Sequence, residues 1–200
     1  MRILLVGATG LLGRSVREVL EERGHKVVTA SRRDPGIAVD ITDPDSITAM
    51  YDRAGPLDAV AVAAGWVPWK PFRDLTAPDV RGALGDKVFG QVELVRQGAG
   101  RIAEEGSFTL VSGVLARDPL PTGSMAALAN GALEAFVRAA AIELPHRQRV
   151  NAVSATVFAE AMDAYESTFA GYEAVPVRRA ALAYVRSVEG GRTGHVFVVE

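Results

Sequence analysis

Short apolar runs alternate with amphipathic stretches from one end of this chain to the other, and few folds accept that order. Arg2–Ala8, Lys26–Ser31, Ile37–Asp40, Leu57–Ala64, Ser107–Ser112, Arg149–Val157 and His195–Val199 read as strands, the first and fourth apolar enough to be buried on both faces. Helical spacing of apolar residues marks Leu11–Arg23, Asp45–Ala54, Asp79–Ala103, Gly123–Leu144 and Pro176–Glu189 as helices. Alternation of this kind, with right-handed crossovers, implies α/β architecture: a doubly wound parallel sheet with helices on both faces. With no repeat, low-complexity tract or linker, residues 1–200 are expected to form a single domain.

Composition narrows the classes of function. Apolar residues make up 48% of the chain and charged ones 23%, enough to bury a large core. The 22 basic against 24 acidic residues give a net charge of −2 and no support for a nucleic-acid partner. The absence of cysteine excludes disulfides, thiolate metal sites and a cysteine nucleophile, and the scattered His25, His146 and His195 lack metal-ligand spacing. Ile3–Val6 is too short for a signal peptide, and no stretch approaches a membrane span, so a cytoplasmic protein with no membrane partner is expected. The helices at 79–103 and 123–144 carry more apolar face than one sheet contact needs. They are expected to pack against a second copy, as a homodimer or homotetramer, or else under loops of the same chain.

The strongest motif is Gly7-Ala8-Thr9-Gly10-Leu11-Leu12-Gly13, between the first strand and the first helix. Gly7 permits the tight turn, Gly10 lets backbone approach a pyrophosphate, and Gly13 allows close packing of helix on strand. The N–H groups at the helix start favour an anion. This makes the sheet Rossmann-type, of about seven strands in order 3-2-1-4-5-6-7. After the second strand, where NAD-binding versions usually carry an acid, stands Ser31-Arg32-Arg33. A guanidinium can fork onto a 2′-phosphate that a carboxylate would repel, so NADP(H) is the expected cofactor. The alternative is that both arginines are solvated loop charges, partly neutralised by Asp34.

At these residues the chain resembles the short-chain dehydrogenase/reductase family over nearly its whole length. The glycine spacing is similar to that of the family's extended and atypical branches. The resemblance implies that Asp40 and Ile41, in Val39-Asp40-Ile41, hold the adenine. It implies that Ala63-Ala64-Gly65 lies beside the adenine ribose, where the family has Asn-Ala-Gly. Val111-Ser112-Gly113 resembles the strand end that bears the family's catalytic serine. Arg149–Ser154 resembles the family's following strand, after which Ala155-Thr156 stands in place of a Pro-Gly turn; the resemblance implies that Thr156 and Val157 lie near the nicotinamide carboxamide.

The catalytic half departs from the pattern. Aligned through Glu134–Arg138, Ala126 stands at the family's tyrosine and Asn130 at its lysine; no tyrosine occurs between Asp52 and Asp163. Lys87 stands at the family's helix asparagine. The pattern resembles a small bacterial subgroup that lacks the usual active-site residues. The expected function is NADP(H)-dependent oxidation or reduction of a small alcohol or carbonyl, with Ser112 lining the pocket and Lys87 as proton donor. The alternatives are an NADP(H)-binding protein without redox turnover, or a non-redox isomerase or cyclase on the same scaffold. Ser112 could instead satisfy the backbone at a strand end, and Lys87 could be a solvated partner of Asp86. Tyr165 and Tyr172 are lesser candidates as donors. Trp66, Trp69 and Phe72 are candidates for an apolar pocket wall or a packed surface loop.

Overall fold

The computed structural model describes all 200 residues. Its strands are β1 (Arg2–Val6), β2 (Lys26–Ala30), β3 (Leu57–Val62), β4 (Ile102–Val111), β5 (Arg149–Ala155) and β6 (Val196–Val199). Its α-helices are α1 (Leu11–Glu22), α2 (Pro44–Ala54), α3 (Ala77–Ala83), α4 (Gly90–Gly98), α5 (Ser124–Ala140), the single turn α6 (Met162–Tyr165) and α7 (Val177–Glu189). All strands pair in parallel, in the order β2-β1-β3-β4-β5-β6.

Side-chain alternation along each strand divides the core in two. Leu4 and Val6 of β1 face one side with Phe108 and Leu110 of β4, under Met50 of α2, Leu94 of α4 and Leu133 of α5. Ile3 and Leu5 face the other, with Val16 and Leu20 of α1 and Tyr184 of α7. Tyr184 is fully buried, and its hydroxyl donates to the Val62 carbonyl at 2.7 Å. A third apolar cluster, including Val67, Ala83, Leu115, Met125, Ala126, Val157 and Phe169, lies outside these two layers. No helix is long and apolar enough to cross a membrane.

The sheet has six strands rather than seven, because Ile37–Asp40 is not one. It makes a single bridge, Ser31 to Ala38. The Asp34 side chain takes the N–H of Gly36 and Ile37, and Ser46 Oγ takes that of Asp40, so the segment spends its donors on turns. With that strand removed, the expected order is the observed one.

The helix expected over 79–103 is three pieces. Thr76 and Asp79 form a capping box that starts α3. Leu84–Phe89 is wound as a π-helix, and α4 ends at Gly98, where a Cβ would sit 2.5 Å from Tyr51 Oη. The chain turns there and enters β4 at Ile102, five residues before the expected start of that strand. Buried Gln91 anchors α4 to β4, donating to the Val111 carbonyl at 3.0 Å and accepting from its N–H at 2.9 Å.

Candidate functional site

The C-terminal ends of β1, β2 and β3 open into a cleft of about 690 Å³, the position where doubly wound sheets bind ligands. Gly7 begins its floor. Its φ of +89° and a Cβ that would lie 2.6 Å from the Ala63 carbonyl oxygen exclude a side chain. A Cβ on Gly13 would come 2.1 Å from the Gly7 oxygen, so the first turn of α1 lies directly on the loop. Gly7, Thr9 and Gly10 line the cleft. Leu11, Leu12 and Gly13 form the first turn, which has no side-chain cap and no acidic residue. Its N–H groups therefore remain available to an anion.

Ser31, Arg32 and Arg33 line the same cleft beyond β2. The Ser31 hydroxyl is buried without a partner, and neither arginine has a carboxylate within ion-pair distance. Asp34 does not neutralise them; its carboxylate is occupied by the turn at Gly36 and Ile37. Asp40 also lines the cleft. Hydrogen bonds from the Thr42 N–H and hydroxyl, and then the charge of Arg32, hold its carboxyl below the usual range. Ile41 lines the cleft with its side chain beneath Gly90. Ala63, Ala64 and Gly65 form the opposite wall, continued by Trp66, 60% exposed, and Asp86, whose carboxylate accepts the Trp66 N–H at 2.6 Å.

Lys87 stands behind that wall on the π-helical turn. A Cβ on Gly65 would meet Lys87 Cγ at 2.9 Å. Its ammonium makes no ion pair with Asp86, and desolvation lowers it to about 8, with the Asp86 charge opposing. Burial thus gives Lys87 a proton that is exchangeable near neutral pH.

Ser112 lies just past β4, outside the cleft. Its hydroxyl donates to Glu134 Oε1 at 2.8 Å, and the same oxygen accepts from Arg117 Nη1 at 2.8 Å. Arg117 also donates to Ser154 Oγ at 3.0 Å. Asn130 is buried beside this network, its Oδ1 without a partner and its amide against Gly113. Thr156 is buried with its hydroxyl likewise unpartnered, and Val157 packs in the third apolar cluster. Ala126 is in that cluster too, 4% exposed, so a tyrosine at this position would enter a buried apolar environment. The Tyr172 hydroxyl donates to the Asp118 carbonyl, and burial pushes it up to about 12; Tyr165 packs edge-on against Phe169.

The expected residues fall into three groups. Those numbered 7 to 65 surround one cleft, and Lys87 stands behind its wall. Ser112, Thr156 and Val157, just past β4 and β5, and Asn130 of α5 do not line it. Glu134 and Arg117 went unrecognised from sequence. A carboxylate inside the apolar face of α5, between Leu133 and Val137, was the available signal, because a buried charge needs a partner.

Residues 7–190 match the family model described as enoyl-(acyl carrier protein) reductase. L-xylulose reductase of Bos taurus is 30% identical over 173 residues, covering 78% of this chain and 71% of its own length. An uncharacterized oxidoreductase of Mycobacterium tuberculosis is 31% identical over 185 residues, covering 80% and 68%. The crystal structure of the protein lin1944 from Listeria innocua superposes with a TM-score of 0.98 at 41% identity over the whole of both chains. A small-chain dehydrogenase solved in complex with NADPH superposes with a TM-score of 0.89 at 27% identity, covering 100% of this chain and 96% of that one.

Proposed function

Because this chain belongs to the short-chain dehydrogenase/reductase family, we propose that its cleft holds NADP(H) and that it oxidises or reduces a small alcohol or carbonyl compound. One observation carries the choice of cofactor: the unpartnered Ser31 hydroxyl and the two unpaired guanidinium groups of Arg32 and Arg33 line one end of the cleft. Such a set fits a phosphate monoester on a ribose and would be poorly used by a bare 2′-hydroxyl. The NADPH of the 27%-identical dehydrogenase supports the same choice.

In this reading the N–H groups of Leu11, Leu12 and Gly13 hold the pyrophosphate over the backbone of Gly7, Thr9 and Gly10. Asp40 and the Ile41 N–H hold the adenine, and Ala63, Ala64 and Gly65 leave room for its ribose. Asn130 and Thr156 each offer a buried polar atom in need of a partner, which suits the nicotinamide end, with Val157 as an apolar wall. NADP(H), when bound, supplies or accepts the hydride. Lys87 supplies the proton or stabilises the developing oxyanion, a contribution of ~10²–10⁴-fold for a placed acid. Ser112 gives its proton to Glu134, so it offers a substrate only a lone pair. Leu84, Phe89 and Leu128 expose apolar surface through which two copies would associate.

A second reading, cofactor binding without turnover, is favoured by the Ser112–Glu134 hydrogen bond and by the packing around Ala126. The test is to titrate the protein with NADPH and NADH by nicotinamide fluorescence, then to screen small carbonyls for NADPH consumption. Turnover reduced by Lys87→Ala supports the oxidoreductase. Tight NADPH binding with no turnover supports the second reading, and no affinity for either nucleotide refutes both.

A further inference from the structure

The other edge of the sheet carries a second concavity. Arg192 and His195 precede β6, so they sit at the N-terminal ends of the strands, away from the glycine loop. Here a hollow of about 500 Å³ is lined by Arg23, Arg186, Arg192, Glu189, Val185 and Phe197 among others. The chain as a whole is slightly acidic, yet this hollow sets three guanidinium groups against one carboxylate.

That carboxylate is already committed. Glu189 accepts from Arg23 through both oxygens, at 2.5 and 2.6 Å, and pairs with His25 at 2.8 Å. Arg186 and Arg192 have no carboxylate within ion-pair distance. Arg186 lies over the Phe197 ring at 5.0 Å, and His195 meets the same ring edge-on at 4.6 Å. Arg192 Nη1 lies 3.1 Å from His195 Nε2. A guanidinium can only donate, so Nε2 accepts and the imidazole carries its proton on Nδ1, which has no partner within the chain. The C-terminal ends of α1 and α7 each contribute roughly half a negative charge nearby, which still leaves the surplus positive.

We propose that this hollow binds a phosphomonoester dianion with an apolar organic part. The two free guanidinium groups supply forked donors for the phosphate, and the outer face of the Arg186 guanidinium, seated on the buried Phe197 ring, supplies a plane on which an aromatic remainder can stack. The site is separate from the glycine-loop cleft and does not depend on how that cleft is used.

The test follows the His195 ring signals of the full-length protein by NMR while phenyl phosphate, inorganic phosphate or sodium chloride of equal ionic strength is added. The expected result is a saturable shift with phenyl phosphate, weaker with inorganic phosphate and absent with chloride. Arg192→Gln and Arg186→Gln should each lower the affinity by about tenfold or more, the loss expected for one charge-assisted hydrogen bond. Arg32→Ala should leave it unchanged. A shift no larger than that of chloride, equal affinity for both phosphates, or binding indifferent to both substitutions would overturn the proposal.

Discussion

Arg32→Ala is the substitution that separates the proposed cofactor from its closest rival. Arg32 is exposed on the turn after β2 and lines the cleft. It makes no ion pair, and the neighbouring Asp40 carboxylate is held chiefly by Thr42. Removing the guanidinium therefore breaks no hydrogen bond or ion pair within the chain, only a weak attraction to Asp40, and the fold should be little affected. The loss falls on the ligand. One charge-assisted hydrogen bond to phosphate contributes roughly 1.5–3 kcal/mol, and ~1.4 kcal/mol is a tenfold change in Kd. NADPH should bind about 10- to 150-fold more weakly, whereas NADH, which lacks the phosphate, should change by less than about threefold. Fluorescence titrations at two salt concentrations provide the assay, because the exposed contact is screened and the wild-type preference for NADPH should shrink as salt rises. Equal weakening of both nucleotides, or none, would refute the assignment of the 2′-phosphate to this turn.

Other substitutions probe the remaining geometry. Gly13→Ala places a methyl 2.1 Å from the Gly7 oxygen and should lower stability by about 1–3 kcal/mol or more, read as a fall in Tm, with loss of nucleotide binding. Lys87 has a folded-state pKa of about 8, below its ordinary 10.5, so its desolvation penalty is fully present below pH 8 and is relieved as pH rises towards 10.5. Lys87→Met should accordingly raise Tm at pH 7, with a gain that shrinks above pH 9, and any reductase activity of the native chain should fall as pH rises through about 8. Arg117→Ala leaves Glu134 buried without its cation and should cost about 1–3 kcal/mol in urea denaturation, recovered in part by adding Glu134→Gln. Ala126→Tyr with Asn130→Lys should lower Tm without raising carbonyl reduction above that of the native chain, because the tyrosine enters a buried apolar cluster; a rise in activity would show that the cluster opens.

The part of the site that was legible in sequence is the part built from neighbours in sequence. The glycine loop and Ser31-Arg32-Arg33 each sit where a strand end must place them, so residue order fixed their position in space. Ile37–Asp40 has strand-like composition, but the side chains of Asp34 and Ser46 take the hydrogen bonds a ladder would use. The stripe Leu84, Val88, Val92, Val95 reads as one helical face. In the fold Val88 joins the third cluster, whereas Val92 and Val95 join the core beside α2, because the helix changes pitch between them. Ser112, Glu134 and Arg117 come from three separate segments, and no local pattern announces that they meet.

The wide turn at Leu84–Phe89 has a consequence for how this protein can vary. Its six residues sweep about the angle of five α-helical ones, so deleting one residue there would restore ordinary α pitch and leave the two flanks nearly in phase. Gln91 would stay bound to β4 and Gly90 would stay against Ile41. The change would fall on the turn itself, taking Asp86 off the Trp66 amide and Lys87 away from Gly65. A single inserted residue thus works as a dial for the wall of the nucleotide cleft, turning its chemistry while the interior behind it keeps its register.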